Sequence, residues 1–265
     1  MSDVSPTTLR VETRDDGAAF VTLARALVHN AIDDVMIAEL TAVLVRLDAT
    51  AAVRMVVLAA EGKSFSAGAD LGWMKRMAGY GMAENLADAQ SLADLMKVLN
   101  GLSKPTIARV QGAAYGGGVG LIACCDIAVA SETAVFSLSE VRLGLIPAVI
   151  SPYVIAAMGA RAARRWFLTA ERFDAAEARR QGLVHQVVAA ERLDDAVEAL
   201  LAGLRQGAPG AQAAAKDLIG AVANQPVSEL LIADTARRIA LLRVADEGRE
   251  GISAFLEKRA PSWGV

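Results

Sequence analysis

Two short stretches hold the residue types best suited to chemistry: Ser64-Phe65-Ser66-Ala67-Gly68-Ala69-Asp70-Leu71 and Gln111-Gly112-Ala113-Ala114-Tyr115-Gly116-Gly117-Gly118. Each follows an apolar run and consists almost wholly of small side chains. A loop with so little side chain lets a ligand approach the backbone closely. A helix opening at Gly117 or Gly118 would turn unsatisfied N–H groups and the positive end of its dipole into that space. Amide donors aimed at a developing negative charge on oxygen make an oxyanion hole. Taken singly, either loop is as well explained by glycines that permit a tight turn and close strand-to-helix packing. Two such loops after neighbouring strands favour a site.

Downstream, Glu140 lies among Phe136, Leu138, Val141 and Leu143. Apolar neighbours would desolvate its carboxylate, raise its pKa and suit it to take and give a proton near neutrality. Arg142 offers the plainer alternative of an ion pair.

Other chemistries fit less well. Gly62-Lys63-Ser64 hints at a phosphate loop, but Val57 stands where that motif needs its first glycine. Leu121, Ile122 and Ala123 fill the positions where a dinucleotide fingerprint would place its last glycine. His29 and His185 are the only histidines, and adjacent Cys124 and Cys125 lack structural-zinc spacing, so no metal site is expected. No Gly-x-Ser-x-Gly elbow is present, and the two histidines read as surface or packing residues. The cysteines read as small buried hydrophobes. Trp73, Met74 and Met77 share a helical face and read as core or pocket wall.

The elements that must position these residues read as a globular α/β chain. Its 265 residues are 54% hydrophobic, enough for a substantial core. The formal charge of −3, with Lys and Arg dispersed, argues against nucleic acid as a partner. The polar N-terminus lacks the pattern of a cleavable signal, the apolar runs are too short to span a membrane, and adjacent cysteines are poor disulfide partners. A reducing cytoplasm is the expected location. Residues 18–23 read as a strand and 33–47 as an amphipathic helix capped by Asp33 or Asp34. The apolar runs at 54–60, 106–110 and 126–130 suit strands buried on both faces. Helical segments between them predict a parallel sheet with ligands beyond the strand C-terminal ends. From residue 160 the chain reads mostly as helix, at 175–181, 194–204, 212–223 and 228–245, with one strand-like stretch at 183–188.

With these motifs in hand, the chain resembles the enoyl-CoA hydratase/isomerase (crotonase) family over nearly its whole length. The most specific matches are Phe65-Ser66-Ala67-Gly68-Ala69-Asp70-Leu71, the run from Gly112 to Gly118 continuing to Cys125-Asp126-Ile127-Ala128, and Phe136-Ser137-Leu138-Ser139-Glu140 with Gly144-Leu145-Ile146-Pro147. The stretch from Glu250 to Arg259 resembles the family's closing helix. The resemblance implies a crotonase (ClpP/crotonase-like) α/β fold: a repeated ββα spiral core over residues 1–195 and a C-terminal helical trimerisation domain over 196–265. It also implies that the N–H groups of Ala69 and Gly117 bind a thioester oxygen and that Glu140 is the acid/base.

Family members with full hydratase machinery carry two glutamates. Glu140 matches the second, and Gly120 stands in place of the first. The implied reaction is addition of water to a 2,3-unsaturated acyl-CoA. The alternatives are double-bond isomerisation by a single glutamate, and a protein that binds acyl-CoA without turning it over. Gly120, Leu71-Gly72-Trp73-Met74 and residues 143–153 resemble bacterial hydratases of methylglutaconyl-CoA, so leucine degradation is the narrower implication. The resemblance also places Arg25, His29, Ala67, Asp70, Leu71 and Gly116 beside the substrate and its CoA. Arg25 lacks the family's flanking Asn and Pro, and His29 stands where a basic residue is common. Phe255 and Lys258 would reach CoA from a neighbouring subunit of a homotrimer or homohexamer. CoA is substrate here, and no cofactor is implied.

Overall fold

The computed structural model describes residues 6–264. An antiparallel hairpin, β1 (Leu9–Thr13) and β2 (Ala18–Leu23), precedes helix α1 (Asp34–Ala49). Three repeats follow. In the first, β3 (Met55–Ala60) and β4 (Ser64–Ser66) lead into α2 (Leu71–Met77) and α3 (Met82–Gly101). In the second, β5 (Thr106–Val110) and β6 (Ala113–Tyr115) lead into α4 (Gly117–Cys124). In the third, β7 (Ile127–Ser131) and β8 (Val135–Ser137) lead into α5 (Ser151–Thr169). Then come β9 (Arg172–Asp174), α6 (Ala175–Arg180), β10 (Gln186–Val188), α7 (Leu193–Arg205), α8 (Pro209–Val222), α9 (Glu229–Val244) and α10 (Asp246–Glu257).

Each repeat sends its two strands to different sheets. The longer strands make a six-stranded sheet in the order β1-β2-β3-β5-β7-β10, and the shorter ones a four-stranded sheet in the order β4-β6-β8-β9. Pairing is parallel except at β1 with β2 and β8 with β9. This is the ββα spiral of the crotonase fold.

β3 shows why the long strands are continuously apolar. Val56 and Leu58 face the cluster that includes Leu40 and Leu44 of α1 and Leu95 and Leu99 of α3, whereas Met55 and Val57 face Val197 and Leu201 of α7. Side chains alternate across a strand, so a sheet covered on both faces needs apolar residues at every position. In α1, Met36, Ile37, Leu40, Val43, Leu44 and Leu47 form one buried stripe, and Asp33 caps it by accepting the Met36 N–H at 2.8 Å. Truncating Leu40, fully enclosed in this stripe, would cost roughly 2–5 kcal/mol.

The expected division after residue 195 falls within α7, whose buried face belongs to the main sheet. The helices beyond it, α8 to α10, bury little of their own surface, with Ile219, Leu230, Ile232, Leu241, Ile252 and Phe255 all exposed. They are fastened to the core by Arg54, at the foot of β3. Its guanidinium donates to the carbonyls of Arg205, Gly207 and Trp263 at 2.9–3.0 Å. Among the described residues, no helix is long and apolar enough to cross a membrane.

Candidate active site

The parallel pairing of β4 with β6, Ser66 opposite Ala114, brings both small-residue loops out at the C-terminal ends of adjacent strands. In the first loop Gly68, at φ 88°, turns the chain alongside residues 29–32. Ala67 N–H donates to His29 O (2.9 Å), Ile32 N–H to Gly68 O (2.7 Å) and Asp70 N–H to Ile32 O (2.8 Å). Gly68 N–H is taken by Ser66 Oγ at 3.3 Å. The amides on both sides of Ala69 are committed, and its own N–H has no acceptor among the described residues.

The second loop ends at Gly116, whose φ of 48° and ψ of −116° suit glycine and set the start of α4. Gly116 N–H donates to Ser137 O at 3.0 Å. Gly117 is the first residue of the helix, and its N–H also lacks an acceptor among the described residues, as helix geometry requires. A Cβ built at position 117 would lie 3.0 Å from Ile32 Cδ1, and Ile32 is also the bridge partner of Ala69. The unpaired Gly117 amide thus lies at the positive end of a helix, and Ile32 connects its surroundings to the loop that carries the unpaired Ala69 amide.

Glu140 opens a single 3₁₀ turn, Glu140–Leu143, just after β8. A Cβ at position 116 would lie 3.0 Å from Glu140 Oε1, so glycine there leaves the carboxylate its place beside the amides. Oε2 is buried with no hydrogen-bond partner. Burial raises the carboxyl pKa above the usual range, against a smaller lowering by its own backbone N–H. The alternative pairing does not form: Arg142 is exposed and, among the described residues, makes no ion pair with Glu140. The arrangement supplies two donors for an oxyanion and a half-desolvated acid/base beside them.

The remaining expected residues gather less uniformly. Ala67 and Leu71 are exposed at the loop rim. Asp70 caps α2, accepting from Gly72 N–H (2.7 Å) and Trp73 N–H (3.2 Å). Burial alone would raise the Asp70 pKa, but those amides and Arg25 lower it overall. The Arg25 guanidinium is occupied by Asp33 and Asp70, each at 3.0 Å. His29 is exposed, at φ 54°, with Nδ1 3.1 Å from Ser64 Oγ. His185 packs by accepting Ala128 N–H at 3.1 Å. Phe255 and Lys258 lie exposed at the end of α10, which packs on α8 and α9. Trp73 is buried and donates Nε1–H to Asp88 at 2.9 Å. Cys124 and Cys125 are both buried, and burial pushes the Cys125 thiol up to about 12.

The family model for enoyl-CoA hydratase/isomerase matches residues 13–265. The chain belongs to that family. It is 38% identical to a probable enoyl-CoA hydratase of Rhizobium meliloti over 255 residues, covering 95% of this chain and 96% of the other. Among solved structures, it resembles an enoyl-CoA hydratase from Shewanella pealeana, at 46% identity with a TM-score of 0.95, covering 98% of this chain and 97% of that one. Pseudomonas aeruginosa AtuE is similar at 37% identity and a TM-score of 0.93, covering 97% of this chain and all of that one. This member of the hydratase/isomerase family is an enzyme with the crotonase fold.

Three residues that shape its site are absent from the sequence reading. Ile32 touches both loops, bridging Ala69 through its backbone and lying 3.0 Å from a Cβ built at Gly117 through its side chain. Asn30 is wholly buried. Ile150 stands against Gly120: a Cβ at position 120 would fall 2.2 Å from Ile150 Cγ2, 2.8 Å from Ile150 Cβ and 3.3 Å from Met96 Cε. A side chain at position 120 would meet Ile150 and Met96 and find no open space. Hydrocarbon closes that position. Asn30, a residue type that tolerates a left-handed backbone, could have been noticed in the loop between His29 and Ala31; Ile150 carried no local signal.

Proposed function

We propose that the protein adds water to a 2,3-unsaturated acyl-CoA, with Ala69 and Gly117 N–H groups receiving the thioester oxygen and Glu140 moving the proton. The observation that carries this reading is the pair of unpartnered amides together with the half-buried Glu140, whose Oε2 is enclosed without a partner. Hydrogen bonds to the thioester oxygen withdraw electron density and make Cβ electrophilic. The water oxygen bonds to Cβ, the C=C electron pair moves onto the thioester oxygen as an enolate, and the water's proton passes to Glu140. Protonated Glu140 then returns a proton to Cα as the carbonyl re-forms. The net change is the gain of one water, without redox, so no cofactor is required beyond the CoA carried by the substrate.

The narrower substrate is 3-methylglutaconyl-CoA, on the strength of Gly120 and the 143–153 segment, which would place the reaction in leucine degradation. The cytoplasm and a homotrimer or homohexamer belong to the same reading. Exposed apolar side chains on α8 to α10, and an apolar cleft of about 670 Å³ lined by Ile239, Leu242, Ile252 and Trp263, support assembly through this region. Phe255 and Lys258 would then reach the CoA of an adjacent subunit, with Arg25 and His29 bordering CoA within the subunit.

A second reading is favoured by the hydrocarbon at Gly120: a single carboxylate suffices to take a proton from Cα of a 3-enoyl-CoA and return it at Cγ. Turnover of crotonyl-CoA, 3-methylglutaconyl-CoA and a 3-enoyl-CoA, with products weighed by mass spectrometry, separates the readings. Hydration adds the mass of water, and isomerisation leaves the mass unchanged while converting the 3-enoyl thioester into the conjugated 2-enoyl chromophore. Tight binding of every thioester with no turnover of any would leave only a binding protein.

A further inference from the structure

The oxyanion amides are held by a segment with no chemistry of its own, and its centre is Asn30. This side chain is fully enclosed, at 0% exposure, and its backbone sits at φ 52°, a left-handed conformation that asparagine tolerates better than most residues. Every polar group it owns is engaged. Its Oδ1 accepts Arg25 N–H at 2.9 Å, and its Nδ2 donates to Glu61 O at 2.8 Å and Ser64 O at 2.9 Å. Its N–H donates to Arg25 O, and its carbonyl accepts Ser66 Oγ–H, both at 2.9 Å. The one side chain thus ties the chain leaving β2 to the chain leaving β3 and to β4.

The neighbours of Asn30 continue the register onto the loop that carries the donor. His29 O holds Ala67 N–H, and Ile32 holds Gly68 O and Asp70 N–H, which leaves Ala69 N–H without an acceptor among the described residues. Arg25, whose backbone Asn30 brackets through two hydrogen bonds, also grips Asp70 through its guanidinium. Oxyanion stabilisation depends on a donor fixed where charge develops, and displacement of about 1 Å costs on the order of 100-fold.

We propose that Asn30 is a positioning residue for the oxyanion hole: by fixing residues 29–32 against β4 it sets where the Ala69 N–H points. The proposal rests on Ala69 N–H receiving the thioester oxygen. Its test separates the two ideas. Acetoacetyl-CoA does not undergo the hydration, and its enolate absorbs in the near ultraviolet, so a working oxyanion hole raises that absorbance on binding. Asn30→Gly keeps the left-handed backbone accessible and removes the side-chain bridges. The expected result is a kcat on crotonyl-CoA lowered roughly 10–100-fold with KM within about threefold, together with a loss of most of the enolate band in the folded protein.

Ser66→Ala removes only the hydroxyl contacts to Asn30 O and Gly68 N–H, and serves if Asn30→Gly does not fold. It should lose a smaller part of the band, with kcat lowered about threefold. Asn30→Asp keeps the acceptor for Arg25 N–H but sets a carboxylate against two carbonyls, so it should not rescue. Folded variants with wild-type kcat and wild-type enolate absorbance, whatever their Tm, would overturn the role of Asn30. A wild-type protein that binds acetoacetyl-CoA without raising the band would instead overturn the oxyanion reading beneath it.

Discussion

The contact between Gly120 and Ile150 gives a prediction whose size can be worked out. Replacing Gly120 by alanine adds one carbon that would fall 2.2 Å from Ile150 Cγ2 and 2.8 Å from Ile150 Cβ. Carbon atoms rest at about 3.5–4.0 Å, so the new methyl intrudes by more than 1 Å on the first atom. Both sides are confined: Ile150 is 3% exposed and opens α5, while Met96, third in the contact, is fully buried. The methyl cannot be relieved by swinging one flexible tip into solvent. Overpacking of this kind costs roughly 1–3 kcal/mol, and a protein of this size loses about 2–4 °C of Tm per kcal/mol. Gly120→Ala should therefore melt roughly 3–10 °C lower. Ile150→Ala leaves a cavity and is destabilising in its own right. In that background the worst contact is gone, so Gly120→Ala should cost at least 1 kcal/mol less, by about the size of an ordinary coupling between neighbours. Thermal and urea unfolding of the four proteins measure the cycle. Additive effects, agreeing within about 0.5 kcal/mol, would refute the idea that Ile150 closes this position. Gly120→Glu, made alone, should then bring instability in place of a second acid.

Other tests address the chemistry and its setting. Glu140→Gln should lower kcat by roughly 10²–10⁴-fold on the best thioester while leaving KM nearly unchanged, as steady-state kinetics will show. Because burial raises the Glu140 pKa, its basic form is gained at a higher pH than for an ordinary glutamate. The rising limb of kcat/KM should accordingly lie nearer neutrality and vanish in the glutamine variant. Asp70 has the opposite sign: its folded pKa lies below the ordinary value, so its contribution to stability is present above the unfolded pKa and is lost as pH falls through the folded one. Asp70→Ala should lower Tm at neutral pH, through the roughly 1 kcal/mol of a lost helix cap, and make the acid limb of a Tm-against-pH curve shallower. Cys124 and Cys125, buried and held neutral, should react with a thiol reagent only after unfolding. Fast labelling of the native protein would contradict their enclosure.

How much of this was legible in the sequence depended on whether the signal was local. β3 is continuously apolar because both faces of the sheet are covered, β2, β5 and β7 are apolar but for Thr22, for Thr106 and Arg109, and for Ser131, and α1 announces itself through its stripe and its Asp33 cap. The four short strands of the second sheet were not distinguished. Each is three residues long, and β4 finds its partner, β6, nearly fifty residues on. The helical texture from residue 160 matches the second half of α5, which is broken at Gly159 (φ 77°, ψ 154°); the first half, from Ser151, was not distinguished, since Pro152 is tolerated in a first turn but gives no helical stripe. At the site, the two loops and the apolar setting of Glu140 could be read from composition. The failure of Arg142 to pair could not, since it follows from the 3₁₀ turn that carries the two side chains apart. Ile150 and Asn30 act through contacts thirty residues or more away, to Gly120 and to Glu61 and Ser64.

Arg54 gives the molecule an order of completion. Its guanidinium meets the carbonyls of Arg205, Gly207 and Trp263, the last of them 209 residues further along the chain. On a ribosome, the strand beginning beside Arg54 emerges long before any of these carbonyls exists. Until then its donors must be served by water, with the underside of β3 waiting for α7. The sheet can form early, as domains do when the chain is made from its N-terminus. Its polar seal, though, closes only once the chain through Trp263 has emerged.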